Sequence, residues 1–177
     1  VGDPLNPAGT WFGYPTCFTA WDGAGIKGAS LKTGDQFVVT PNTTFADANC
    51  ATQSTGPRLS FPAHSAPITN VFDRNGTNMY ITLHGSWDRQ PAIGYKVIEV
   101  PFTRLASGQY DPVAPRDSQK GWNDVMYMNN VGSCQSQSLT ISSCFRLSAL
   151  AWDPSYTKLF VGSDNNAEGE IWVLAKK

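Results

Sequence analysis

Met79-Tyr80-Ile81-Thr82-Leu83-His84-Gly85-Ser86-Trp87-Asp88-Arg89, residues 79–89, set the reading of the whole chain. The first five are β-branched, aromatic or large apolar residues, the composition of a buried strand. They follow Arg74-Asn75-Gly76-Thr77-Asn78. Asn-Gly is the strongest short hairpin signal, because both residues tolerate positive φ. The run then delivers imidazole, hydroxyl, indole, carboxylate and guanidinium within six positions. A β-scaffold presents a binding site in this way. The plainer alternative is a strand end with a few solvated polar groups.

Outward from this stretch the chain reads as short strands separated by turns. Strands are expected at Cys17–Trp21, Gln36–Thr40, Ile68–Asp73, Tyr95–Val100 (closed by Pro101), Leu147–Trp152, Lys158–Gly162 and Glu170–Leu174. Trp122–Met128 fits either a strand or a short helix. Residues 1–15 read as an ordered loop and 41–57 as a polar one. Leu59–Asn70 places prolines on both sides of His64-Ser65, which argues for a rigid loop. No run has apolar residues at helical spacing. Ile68–Leu83 and Leu147–Gly162 look alike: strand, turn with Asp, strand with an aromatic. About eight or nine strands repeating in this way suit β-propeller blades, four strands in about 40–45 residues. The expected fold is therefore all-β, a partial propeller of three to four blades. It forms one domain over residues 1–177.

Composition narrows the partners. The 177 residues carry a formal net charge of −1, only 15% charged residues, 12% aromatic residues, 16 glycines and 12 prolines. Without a basic run, nucleic acid is not an expected partner. No apolar stretch approaches the roughly 18 residues of a membrane helix. The chain starts at Val1 without a signal-like segment, as a processed protein or a piece of a longer one would.

The four cysteines, Cys17, Cys50, Cys134 and Cys144, match no zinc spacing, and there are only two histidines. An even count points to disulfides and secretion. Sequons at Asn42-Thr43-Thr44 and Asn75-Gly76-Thr77 point the same way and mark Asn42 and Asn75 as glycosylation candidates. Three pairings exist. The local ones, Cys17–Cys50 and Cys134–Cys144, are favoured because the second would pin the polar segment between its cysteines.

Other motifs fall away. Gly23-Ala24-Gly25-Ile26-Lys27-Gly28 matches GxGxxG, but no βαβ unit surrounds it. Asp164–Gly169 resembles part of an EF-hand loop without its later glutamate or flanking helices, and reads as a hairpin turn. No GxSxG supports a serine hydrolase. Nothing singles out a carboxylate pair for glycoside hydrolysis.

Read together, several motifs resemble one family. They are Gly13-Tyr14-Pro15-Thr16-Cys17-Phe18, Phe61-Pro62-Ala63-His64-Ser65-Ala66-Pro67, His84–Arg89, Gly94-Tyr95-Lys96-Val97, Cys144-Phe145-Arg146 and Leu150-Ala151-Trp152-Asp153. The chain resembles the fungal pyrroloquinoline-quinone-dependent sugar dehydrogenases, the pyranose and L-sorbosone group. The resemblance implies the C-terminal part of a six-bladed propeller domain. It implies an oxidoreductase that oxidises the C1 hydroxyl of a pyranose or aldose with hydride transfer to the quinone, and a calcium ion on that quinone.

By this resemblance His84, Trp87, Arg89 and Arg146 would bind the cofactor and His64 would line the substrate mouth. Arginine suits the quinone's carboxylates by its planar fork, and tryptophan suits its ring by stacking. The catalytic base and the metal ligands are not assigned to this chain, because the family's lie in N-terminal blades. Those blades, the missing half of the propeller, would be the partner that completes the enzyme. The family has Asn where this chain has Asp88, and Pro-Val-Gly where it has Leu147-Ser148-Ala149. A carboxylate at position 88 would pair with Arg89 or face solvent. The alternative is a non-catalytic secreted module that binds glycans or a protein partner.

Overall fold

The computed structural model describes residues 7–26, 30–134, 144–165 and 169–175. The chain divides into two compact units, residues 1–62 with 103–121, and residues 63–102 with 122–177.

In the first unit, β1 (Cys17–Thr19) pairs antiparallel with β2 (Gln36–Val38), Cys17 opposite Val38. The polar loop expected at 41–57 contains a helix, α1 (Asp47–Gln53). Its sequence, DANCATQ, has no apolar stripe, so periodicity could not reveal it. It is held from outside instead. The Asn49 side-chain Oδ1 accepts from the Ala46 backbone N–H at 2.8 Å, and the Asp47 Oδ1 accepts from the Val38 N–H at 2.9 Å. The Cys17–Cys50 disulfide joins β1 to the helix across 33 residues of sequence. The Arg58 fork on Asp111 closes the unit, and the bonded carboxylate raises the guanidinium's pKa. Gly23–Gly25 is a short 3-10 turn, and the remaining Lys27-Gly28 of the GxGxxG match lies outside the described residues.

The second unit carries the elements read from 67–83 and 147–174. β3 (Pro67–Phe72), β4 (Asn78–Leu83) and β5 (Lys96–Arg104) run antiparallel in that order. β7 (Asn123–Tyr127) also pairs with β5, so the undecided 122–128 segment is a strand. β6 (Tyr110–Pro112) follows β5 in the strand order and lies, with the Thr103–Arg104 end of β5, in the first unit. β8 (Leu147–Trp152), β9 (Lys158–Ser163) and β10 (Glu170–Ala175) form a three-stranded sheet. Tyr95, Val97, Leu147, Leu159 and Val161, all essentially fully buried, join the two sheets in one core. Burying side chains of this size stabilises by about 1.5–3 kcal/mol each before entropy is counted. The Tyr80 ring meets Trp152 edge-on at 5.2 Å, and its hydroxyl donates to Glu99 at 2.7 Å. Burial and that carboxylate together push the phenol's pKa up.

The expected propeller is not what the described residues form. Their antiparallel sheets have two, three and five strands and do not close, where blades would repeat four strands each. The two look-alike segments are real hairpins, but their surroundings differ. Among the described residues β8–β9 gains only β10, whereas β3–β4 is followed by β5, which continues past Val100 and also pairs with β7. Pro101 does not end β5, for a geometric reason. The Phe102 N–H donates to Thr77 on the β4 side, so the nitrogen of the preceding residue, Pro101, points to the opposite edge. There β7 reaches only as far as Glu99, so proline's missing N–H breaks no bond of that ladder.

Candidate functional site

β4 is buried from Tyr80 to Leu83 on both faces, so its end is fixed in place before the polar cluster begins. Two backbone bonds then zip that end to the proline-bracketed loop. The His84 N–H donates to the Ala66 carbonyl at 2.9 Å, and the Gly85 N–H to the Ser65 carbonyl at 3.1 Å. Farther along, Ser86 and Ile93 exchange bonds at 2.9 Å, closing residues 86–93 into a loop.

Backbone strain concentrates here. His64 (φ 66°), Ala66 (φ 52°) and Tyr95 (φ 56°) are three of the four non-glycine residues with positive φ among those described. Each left-handed L-residue costs roughly 1–2 kcal/mol, and such strain clusters at functional sites. Gly85 (φ +97°) is glycine for a steric reason as well. A Cβ there would sit 2.5 Å from the Tyr95 ring, which is fully buried beneath it.

The expected site residues fall into three settings. His84 Nε2 lies 2.7 Å from Asp164 Oδ1. His64 Nδ1 lies 2.8 Å from Asp88 Oδ1, so Asp88 neither pairs with Arg89 nor simply faces solvent. Arg89 Nη1 instead donates to the Ala63 carbonyl at 2.8 Å. Trp87, between these groups in sequence, is 64% exposed. Arg146 differs from the others. Its Nη1 donates to Gly85 O at 3.1 Å, Ser86 O at 3.4 Å and the Tyr95 hydroxyl at 3.1 Å, with its guanidinium 5.5 Å from the Tyr95 ring centre. Tyr95 in turn donates to the Ser86 carbonyl. Arg146 is thus a clamp on the 84–95 loop, and its position brings β8 to that loop.

Two participants were missed. Asp164 had been assigned to a turn. Aligning the two hairpins on their turn aspartates, Asp73 and Asp153, would have placed it at the position of His84. Tyr95 reads in the sequence as a strand start and as part of the Gly94-Tyr95-Lys96-Val97 motif, but not as a site residue. The rest of that turn, 166–168, lies outside the described residues, as does the segment 135–143 between Cys134 and Cys144. Those two cysteines are bonded. Asn42 and Asn75 are both exposed. Among the described residues no group of three or more His, Cys, Asp or Glu could hold a metal ion, and no helix is long and apolar enough to cross a membrane.

Comparison with known proteins follows this geometry. The family model described as TrAA12-like matches residues 1–177. The chain is 36% identical over 178 residues to a pyrroloquinoline quinone-dependent pyranose dehydrogenase of Coprinopsis cinerea, covering 99% of the chain and 24% of that protein. It is 35% identical over 176 residues to a pyrroloquinoline quinone-dependent sugar dehydrogenase of Hypocrea jecorina, covering 98% of the chain and 36% of that protein. Among solved structures, it resembles the holo form of the pyranose dehydrogenase PQQ domain from Coprinopsis cinerea. The TM-score is 0.87 at 34% identity, with 99% of this chain and 42% of the other covered. The calcium structure of the Trichoderma reesei family AA12 enzyme matches with a TM-score of 0.82 at 32% identity, covering 98% and 41%. The chain thus spans about a quarter to two fifths of these relatives. The assignment to the C-terminal part of a propeller domain gives way to a relation to the PQQ domain, with open sheets in place of blades. The chain belongs to the TrAA12-like family.

Proposed function

We propose that residues 1–177 are part of one domain of a longer, secreted sugar oxidoreductase that uses pyrroloquinoline quinone. On this reading the loop 84–95 supplies part of the cofactor site, and the pyranose or aldose enters beside His64. The observation that carries the reading is the convergence at the end of β4. The clamped loop carries exposed Trp87, together with Arg89, His84 and Asp88, and its His84 and Asp88 pair with Asp164 and His64 from two other segments, in a chain related to a quinone domain.

The residues fit a planar, carboxylate-bearing ring. Trp87 offers an open indole face for stacking. Arg89 spends one nitrogen on Ala63 and has further donors in its fork for a carboxylate. Arg146 holds the loop that presents them, and Asp164 orients His84. When bound, the quinone supplies the two-electron hydride acceptor for alcohol oxidation. Among the described residues no group of three or more His, Cys, Asp or Glu could hold a metal ion, and no calcium ligand is assigned to them. Two disulfides and two exposed sequons support secretion with glycans at Asn42 and Asn75. The rest of the longer protein is the partner that would supply the catalytic base.

The test is titration of quinone with calcium ions into the isolated protein, following quenching of tryptophan fluorescence and then dye reduction with aldoses. Intact mass, reduced and non-reduced, shows whether a companion segment is present. Saturable quenching, lost in Trp87→Ala and weakened in Arg89→Ala, is expected, with dye reduction when the companion is present. No quenching and no dye reduction with the companion present would overturn it. Exposed Trp87 also suits a second reading, a non-catalytic glycan-binding module. Saturable glycan binding without quinone binding would support that one.

A further inference from the structure

We propose that His64 is an oriented hydrogen-bond acceptor for a ligand hydroxyl and that Asp88 is its positioning residue. This rests on the sugar-oxidising reading above. His64 Nδ1 faces Asp88 Oδ1 at 2.8 Å. An ionised carboxylate only accepts, so the proton between them sits on Nδ1, and neutral imidazole is left with a bare Nε2. His84 is turned the other way. Its Nε2 faces Asp164 Oδ1 at 2.7 Å, so its proton sits on Nε2. Both partners are carboxylates, yet the two rings present opposite nitrogens.

Exposure separates the two. The His64 side chain is 46% exposed and that of His84 only 19%. The first is therefore the more accessible to a ligand. Its setting is also built. His64 holds a left-handed conformation (φ 66°) that L-residues avoid unless their surroundings impose it. The surroundings do so from both directions. Arg89 bonds the carbonyl just before it, and Gly85 and His84 bond the two carbonyls just after it. Exposed Trp87 is the sequence neighbour of Asp88. An exposed indole on the loop that also carries Asp88 suits a pyranose, which offers apolar C–H on its ring face and hydroxyls at its rim.

The chain has two histidines, so each is the other's control. Two-bond proton–nitrogen correlation spectra of 15N-labelled protein should show His64 as the Nδ1–H tautomer and His84 as the Nε2–H tautomer. Asp88→Asn keeps an oxygen acceptor and should keep the His64 pattern. Asp88→Ala should release it into a mixture while leaving His84 unchanged. D-Glucose should shift the His64 nitrogens saturably, with affinity roughly tenfold weaker in Asp88→Ala, the loss of about one hydrogen bond. His64 protonated on Nε2 in the wild type would overturn the proposal. So would an unchanged tautomer in Asp88→Ala, or equal glucose affinity in both. Near-UV circular dichroism identifies a variant that has lost its fold, and His64→Gln then takes its place, expected to lose affinity by the same factor. A split tautomer pattern with glucose binding, but no quinone quenching and no dye reduction with the companion present, refutes the oxidoreductase reading alone. Dye reduction without a His64 response refutes this inference alone.

Discussion

The hairpins β3–β4 and β8–β9 share one turn and use it to different ends. In each an aspartate opens the turn, Asp73 or Asp153. Its backbone N–H donates to the residue five positions on, at 2.9 Å in both. Its Oδ1 accepts from the backbone of a threonine, Thr77 at 2.9 Å and Thr157 at 2.7 Å, and its Oδ2 from that threonine's hydroxyl. A positive-φ residue precedes the threonine in each, Gly76 (φ 70°) and Tyr156 (φ 58°). Both hairpins are bulged near the opposite end. There the likeness stops. β4 runs on into a strained loop with Gly85, and β9 into Asp164 and Asn165, neither with positive φ. The common turn is a matter of stability, and the divergent ends carry the site: equivalent positions, His84 and Asp164, meet across the two sheets at 2.7 Å.

The sharpest break in the comparison is Gly85→Ala. The new Cβ would meet the buried Tyr95 ring at 2.5 Å in a backbone conformation alanine resists. A loss of about 3 kcal/mol is expected from overpacking plus strain. At the equivalent place in the other hairpin, Asn165→Ala removes a 2.7 Å bond to the Cys144 carbonyl, and about 1 kcal/mol should follow. Denaturant midpoints for the pair measure the asymmetry. Similar losses would mean that the two ends are equally rigid.

The turns should respond alike. Asp73→Ala removes several bonds at a partly solvated site and should cost about 1 kcal/mol. Asp153→Ala should lower the melting temperature too. Burial pushes the Asp73 carboxyl up, but bonds from Thr77 and Asn78 outweigh it and hold it below the ordinary value. The Ser155 hydroxyl, then the Lys158 and Thr157 N–H groups, hold Asp153 well below the carboxylate range. A depressed folded-state pKa adds stability that is complete above the unfolded value, about 3.9, and is lost as pH falls through the folded one. Melting temperature should therefore drop below about pH 4, more gently in an Asp73→Asn, Asp153→Asn double variant. An equal acid response in the double variant would remove these carboxylates from the account.

Exchanging the positive-φ residues gives the smallest effects. Gly76→Ala should destabilise by about 1 kcal/mol. Tyr156→Gly relieves similar strain but gives up the ring stacked on Trp152 at 5.9 Å and the Arg74 contact at 5.5 Å. A net change within about 1 kcal/mol is expected in thermal melts.

Much of this was legible in the residues. Asn75-Gly76 announced its turn because few residues accept positive φ. The β-branched run at 79–83 announced a buried strand because its side chains suit that surface. Tyr156 hid the second turn's geometry, since nothing in a tyrosine signals a left-handed backbone. Asp88 could not be paired from sequence, because its partner lies 24 positions away in a loop whose conformation the chain cannot report. α1 was invisible because a disulfide and side-chain bonds hold it in place of an apolar face.

By itself, then, the sequence determined most of the strands, the hairpin likeness and which chemical groups cluster after Leu83, since these follow from local conformational preference and composition. Only the tertiary structure decided how many strands join each sheet, that Arg146 clamps the loop, and which carboxylate meets which histidine. Those depend on where distant backbone segments come to rest, and a difference of a few ångströms there makes or removes a hydrogen bond.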